Sequence, residues 1–333
     1  MTGLLEAVGL NRPESGDDML VPFSLDQLDA RGRIVRLGDS LDEILSRHDY
    51  PVPVARLLGE AMTLTALIGS SLKFEGKFIL QTQTDGPVSL LVADFQAPDG
   101  MRAYARHDSE ALKKAAEEGR TAPADLLGKG ALVMTIDQGP HMDRYQGVVE
   151  LDGSSLEEIA HRYFAQSEQI PTQVRLAVAQ LSTRGEDGPR WRSGGILLQH
   201  LPEGETGRSM PDLPGDGDFD NDETADKSFV EADNWTEAKS HLSTVDDLEL
   251  VDPEISPERL LFRLYHETGV RVFEPNPLEA RCSCSAERVE TMLMGFDAEQ
   301  RASMVVDGEI EVTCDFCSTV YKFNPNQFGF EDD

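Results

Sequence analysis

Cys282-Ser283-Cys284 and Cys314-Asp315-Phe316-Cys317 are the stretches on which the reading of this chain turns. They hold all four cysteines of the 333-residue sequence, and all four fall in its last 52 residues. A Cys-x-Cys pair, a spacer of 29 residues and a Cys-x-x-Cys pair make two tight pairs. Each can supply one edge of the tetrahedral thiolate site that zinc prefers. Three other readings of the same thiols stand beside this one: four free structural cysteines, an inert structural zinc ribbon, and a thioredoxin-like redox motif at Cys314 and Cys317. The last needs a strand–helix context. The single residue between Cys282 and Cys284 departs from the two-residue spacing usual in ribbon halves. Neighbours this close can chelate a metal, and a disulfide between them would close a small, strained ring of the labile kind.

Working outward, Ile310 and Val312 precede the second pair and Val320 and Phe323 follow it, which predicts two short strands with the thiols at their turn. Ser285 starts a short helix whose Val289, Met292 and Leu293 share a face, and Gly295 ends it. Upstream, Ser256-Pro257-Glu258 combines a cap with proline at the first helical position, and Leu260, Leu261, Leu264 and Tyr265 form an apolar stripe. Residues 256–326 therefore read as a linker helix followed by a small zinc-binding domain. His266 lies close by in sequence, but four cysteines already fill a tetrahedral site.

From Pro202 to Asp233 there are eleven acidic residues against two basic, with three prolines and four glycines. Such a stretch cannot bury enough apolar surface to offset its ordering entropy, so mobility is expected. Asn234–Pro253 is mixed, with Trp235, Leu242, Val245, Leu248 and Leu250 scattered among acids, and reads as marginal helix. Together, 202–255 form an acidic, partly disordered linker. The segment around Leu242–Tyr265 is expected to pack on the domain before it.

That domain, 20–201, reads as α+β. Ser40-Leu41-Asp42-Glu43 has a capping-box pattern, and apolar residues from Val54 to Leu72 recur with a helical period. Alternation over Phe78–Thr82 and Val88–Val92 around Asp85-Gly86-Pro87 predicts a hairpin. Further strands are predicted at Met101–Arg106, Ala131–Asp137, Tyr145–Leu151, Gln173–Leu181 and Gly195–Gln199. A second helix is capped by Ser154 or Ser155. Runs of strands with few helices favour α+β over a doubly wound sheet.

Composition narrows the function classes. Hydrophobic residues make up 39% and charged residues 27%, enough apolar material to exclude disorder throughout. Sixty-one Asp and Glu against thirty Lys and Arg give a net charge of −31, which repels nucleic acid, and no basic patch relieves it. No apolar run is expected to reach the roughly 18 residues of a membrane span. The opening MTGLLEAVGLNRPESGDD lacks the pattern of a secretory signal, so a cytoplasmic protein is expected. No Ser-His-Asp spacing, phosphate loop or paired-carboxylate site emerges. Asp85 and Asp94 read as turn or surface residues.

A set of segments then carries a resemblance. These are His48-Asp-Tyr-Pro51, Leu72-Lys-Phe-Glu-Gly76 leading into Gln83-Thr-Asp-Gly-Pro87, and Arg144-Tyr-Gln-Gly-Val-Val149. Tyr163-Phe-Ala-Gln-Ser-Glu-Gln169-Ile-Pro171, Gly194-Gly-Ile-Leu-Leu-Gln199 and Arg263-Leu-Tyr-His-Glu267 follow in order. With the cysteine pattern, they resemble the heat shock protein 33 family of redox-regulated bacterial holdase chaperones, over about residues 20 to 325. The resemblance implies an ATP-independent chaperone, not an enzyme, inactive while reduced and holding one zinc ion on Cys282, Cys284, Cys314 and Cys317. It further implies that oxidants such as hypochlorous acid, or peroxide with heat, form disulfides Cys282–Cys284 and Cys314–Cys317. Zinc then leaves, the C-terminal region unfolds, and the protein, as a homodimer, holds unfolding client proteins. The alternative is a static zinc-dependent interaction module without a switch.

Overall fold

The computed structural model describes residues 13–70, 76–139, 144–182, 188–201 and 233–328. The acidic stretch up to residue 232, the leader through residue 12 and residues 72–75 of the resemblance lie outside the described residues.

In chain order the core domain contains β1 (Met19–Leu25), β2 (Ala30–Leu37), α1 (Asp39–Ser46), α2 (Val52–Gly69), β3 (Lys77–Thr84), β4 (Val88–Gln96) and β5 (Gly100–His107). It continues with α3 (Ser109–Glu117), α4 (Pro123–Leu127), β6 (Lys129–Asp137), β7 (Tyr145–Asp152), α5 (Leu156–Tyr163), β8 (Thr172–Leu181) and β9 (Arg190–His200). Two antiparallel sheets result, one in the order β1-β2-β9-β8, the other in the order β5-β4-β3-β6-β7. The α+β class holds.

α2 lies between the sheets. Its Leu57, Leu64 and Leu67 join one buried cluster with Leu91 and Phe95 of one sheet and Val178 and Leu197 of the other. By length and composition α2 would pass for a membrane span, with a mean hydropathy of 1.3, contrary to the reading of the sequence. It is a core helix, 78% buried by the two sheets and their neighbours.

The sheet containing β1 and β2 is apolar on both faces. Leu20, Val35 and Leu37 face α2, while Val21, Phe23, Leu25 and Ile34 face away from it. Burial on both sides erases the alternation that marks a half-exposed strand, and this is why β1 and β2 are not legible as strands. The outward face is covered by α6 (Asp233–Ser243), α7 (Asp247–Val251) and α8 (Pro257–Tyr265). Trp235 and Leu242, then Leu250 and Val251, then Leu261 and Tyr265 seat on Phe23, Ile34, Ile196 and Leu198. The linker segment therefore packs on the core domain.

Arginine donors and a close backbone approach hold it there, Arg192 of β9 donating from Nε to the Val251 carbonyl at 3.0 Å. Arg36 of β2 is buried and donates to four backbone carbonyls of the linker: Glu249 at 3.1 Å, Leu250 at 3.2 Å, and those of Asp252 and Ile255. Burial lowers its pKa to about 10, so it keeps its charge at neutral pH. Gly194 of β9 lets α7 approach, since a Cβ there would lie 2.1 Å from the Leu250 carbonyl oxygen.

Ser40 does not cap α1. It sits inside the first turn, and the cap comes from Asp18, whose carboxylate accepts from the Gly38 amide at 2.9 Å and from the Ser40 amide at 3.2 Å. A residue from outside the helix's own segment thus replaces the local capping box. By contrast, Ser155 caps α5 and Ser256 caps α8 through their side chains. α3 is capped by Asp108 and, like α4, carries too short an apolar face to be read from sequence.

Gly194→Ala is expected to push α7 away from β9 and to cost about 1–3 kcal/mol. The check is amide exchange in the reduced protein, which should quicken over Leu242–Tyr265 while the β3–β4 pairing stays protected.

Candidate metal centre

Downstream of α8 the chain stitches the two sheets together. β10 (Arg271–Val272) and β11 (Asn276–Pro277) pair with β1, and β12 (Glu279–Ala280) pairs in parallel with β5. Cys282 and Cys284 come next, and Ser285 then caps α9 (Ala286–Met294) by accepting from the Arg288 amide. Leu293 of this helix is buried, Val289 is partly buried and Met292 is 49% exposed, so the apolar face is narrower than its spacing predicts. α10 (Ala298–Ser303) and β13 (Val305–Val306) lead into β14 (Glu309–Thr313) and β15 (Val320–Phe323). Cys314 and Cys317 occupy the turn between these last strands, as the hairpin pattern predicts. The Ser318 amide donates to the Cys314 carbonyl and the Cys314 amide to the Thr319 carbonyl, both at 2.9 Å. Strand–turn–strand is not the strand–helix setting of a thioredoxin motif.

The four sulfurs converge to within 4.8 Å of one another and are half-buried. Contacts also run between the pairs: Cys282 to Cys314 at 3.8 Å and Cys284 to Cys317 at 3.3 Å. A tetrahedron with Zn–S bonds of about 2.3 Å has sulfur–sulfur edges of about 3.8 Å. The cage therefore has the size for one such ion.

Its electrostatics point the same way. Burial, with hydrogen bonds from neighbouring thiols, pushes the Cys284 thiol up to about 12, and burial also raises Cys314. Burial opposes ionisation of Cys317 too, but the Thr319 hydroxyl and amide and the adjacent thiols outweigh it and bring Cys317 down to about 6. Without a cation, four crowded sulfurs cannot all ionise; a divalent ion removes that conflict. The Tyr321 hydroxyl donates to Cys284 Sγ at 3.1 Å, the kind of outer contact that orients a ligand. His266 ends α8 with its ring 3.1 Å from the Phe262 carbonyl and stands outside the cage. The four clustered cysteines are consistent with one tetrathiolate zinc.

Several residues that meet this centre are not legible from the sequence. Asp94 is 4% exposed, neither turn nor surface: its carboxylate accepts from Arg102 Nε at 2.7 Å beneath the cysteine unit. Arg102 reaches Ser283, and its guanidinium carbon stands 4.0 Å from the centroid of the Phe316 ring. Ser318 Oγ donates to the Arg47 carbonyl at 3.1 Å and lies 3.5 Å from His48 Nδ1. The His48-Asp-Tyr-Pro51 motif could have hinted at this seat, whereas nothing local marks Asp94 or Arg102.

Comparison with known proteins places this geometry. The family model described as Hsp33 protein matches residues 18–324. The chain belongs to the Hsp33 family. The 33 kDa chaperonin of Caulobacter vibrioides is 46% identical over 318 residues, covering 94% of this chain and 97% of the relative. That of Pseudomonas fluorescens is 36% identical over 309 residues, covering 92% and 91%. The crystal structure of the 33 kDa chaperonin from Thermotoga maritima superposes with a TM-score of 0.71 at 23% identity, over 93% of this chain and 96% of that one, and so shares the fold. As an Hsp33 protein, the chain is a redox-regulated chaperone of a non-enzymatic holdase family, with the four-cysteine zinc site present.

Tyr321→Phe, which removes the hydroxyl but not the ring, is expected to weaken zinc binding by roughly tenfold. Competition with a coloured chelator reads this directly, with the reduced full-length protein as reference.

Proposed function

We propose that Cys282, Cys284, Cys314 and Cys317 are the ligands of a zinc ion whose loss on oxidation opens a client-binding surface. The carrying observation is how little else holds the cysteine unit together. Among the described residues its apolar cluster buries only Leu293, Ile310 and Phe323, the last still 8% exposed; the residues packed around them, such as Val289, Phe296, Val312 and Tyr321, are only partly buried. Bound structural zinc contributes on the order of 10–16 kcal/mol to folding in small peptides at pH 7. Three buried side chains, at about 1.5–3 kcal/mol each, with a partly exposed rim, make a small core beside that contribution.

The thiolate is both the metal ligand and the oxidisable form, so zinc keeps all four sulfurs reactive at neutral pH. Oxidation joins Cys282 to Cys284 and Cys314 to Cys317. Each disulfide releases two electrons, which hypochlorous acid accepts, leaving as chloride and hydroxide. That leaves no thiolate among Cys282, Cys284, Cys314 and Cys317 to hold zinc.

The chain divides for this purpose into a core at 20–201, an acidic linker at 202–255, and a linker helix with the zinc unit at 256–326. β10, β11 and β12 tie the zinc unit to both sheets directly after α8. When the unit melts, these short pairings lose their anchor, and α6, α7 and α8 can lift from the apolar face formed by Phe23, Ile34, Ile196 and Leu198. Unfolding client proteins bind the freed surface, and the oxidised protein works as a homodimer in the cytoplasm. Neither nucleic acid nor membrane is a partner; a net charge of −31 opposes the first.

One experiment tests the whole chain of events. Zinc release, thiol content and suppression of client aggregation are followed as oxidant is added to the reduced, zinc-loaded protein. All three are expected to change together. Full client protection before oxidation, or zinc retained after it, contradicts the proposal. Removing zinc by chelator from the reduced protein should also abolish amide protection in β14 and β15.

A further inference from the structure

Arg102 touches the middle of both cysteine motifs. Its Nη1 donates at 3.0 Å to Ser283 Oγ, between Cys282 and Cys284. Its planar face lies 4.0 Å from the ring centroid of Phe316, between Cys314 and Cys317. The Tyr104 ring, two residues along β5, stands 6.3 Å from the same phenyl ring.

The arginine is itself held rigidly. Asp94 of β4 lies directly across from it in the antiparallel register. Arg102 Nε and Nη2 reach the Asp94 carboxylate at 2.7 and 2.6 Å. Both donors converge on one oxygen, Oδ2, and this buried ion pair anchors the guanidinium edge, leaving Nη1 and the planar face toward the cysteine unit. The Cys282 sulfur is also within its electrostatic reach. Four thiolates around one divalent ion leave excess negative charge, which a cation at this position favours.

We infer that Arg102, positioned by Asp94, is the contact through which the core domain reads the state of the cysteine centre. This rests on the zinc-switch reading and on the pairing proposed with it. A Cys282–Cys284 disulfide closes a ring around Ser283, and a Cys314–Cys317 disulfide closes one around Asp315 and Phe316. Both partners of Arg102 thus lie inside the rings that oxidation would form. Oxidation also discharges the sulfurs. The hydrogen bond, the stack and the charge attraction are all set by the reduced, metal-held geometry. Losing them frees the unit from β5, where the adjoining β12 is held by the Glu279 amide on the Asp99 carbonyl at 2.9 Å and the Arg281 amide on the Met101 carbonyl at 2.8 Å. Arg102 is a positioning residue, since it is no ligand and takes no part in sulfur chemistry.

The test compares wild type, R102A, R102K and S283A as full-length reduced protein, zinc-loaded and zinc-free. Amide exchange at Glu279 and Arg281 is measured in both states, and zinc release is timed after hydrogen peroxide. In the zinc-loaded state R102A should exchange these amides at least tenfold faster and release zinc at least threefold faster. R102K keeps the charge but loses the planar fork and stack, so it should fall between R102A and wild type. S283A loses one hydrogen bond and should move the same way by less. In the zinc-free state wild type and R102A should exchange alike, because the contact depends on the metal-held shape. An equal acceleration in both states would make Arg102 merely structural and overturn the inference, as would wild-type rates in the zinc-loaded R102A and S283A proteins. Wild-type protein that keeps its zinc through oxidation overturns the switch reading itself, and the inference falls with it. Wild-type release with no effect of R102A overturns the Arg102 assignment alone.

Discussion

Four sulfurs confined within 4.8 Å, in a unit whose described residues bury three apolar side chains inside a partly exposed rim, set the terms for everything packed around them. Such a cage is poor as a purely covalent structure. Its thiols oppose one another's ionisation, and the local core is too small to enforce the geometry. A divalent ion resolves both problems, because it ionises the sulfurs and supplies the cohesion that apolar burial does not. The same choice makes the unit chemically vulnerable: its stabilising groups are its most oxidisable ones.

The core carries a second, separately covered apolar face. The sheet carrying β1 and β2 has two apolar faces, one sealed by α2 and the other by α6, α7 and α8. The first seal is continuous with the main core. The second is a set of short helices gripped by the guanidinium groups of Arg36 and Arg192 on backbone carbonyls and by a close approach at Gly194. Carbonyls carry no net charge, so Arg36 stabilises a backbone conformation and not a partner's charge. The segment that crosses from this cover to the zinc unit pairs with both sheets through strands of two residues each. Pairings this short have little stability of their own.

How much of this is legible depends on the range of each interaction. Ser155 and Ser256 can be recognised as caps because a capping side chain acts within three residues. Ser40 matches the same pattern and misleads, since the carboxylate that serves α1 comes from Asp18, outside any local window. Asp94 looks like an ordinary surface acid because its burial arises from packing that no local pattern marks, and the Arg102 it holds meets Ser283, 181 residues further on. β1 and β2 give no strand signal because two-sided burial removes the alternation that a strand otherwise shows. α2 is legible as a helix, but its length and hydropathy also suit a bilayer, and only its neighbours show that protein surrounds it.

By itself, the sequence determined the hairpin that carries Cys314 and Cys317, the helix started by Ser285, the α+β character of the core and the four-cysteine pattern. Each follows from side-chain type and spacing over a few residues, where backbone geometry alone decides who meets whom. The folded molecule alone shows that thiols from different pairs meet, that the linker helices cover an apolar sheet face, and that Asp94 and Arg102 lie beneath the cysteine unit. Those contacts join residues remote along the chain, and their existence depends on the packing of whole sheets against one another, which no local period encodes.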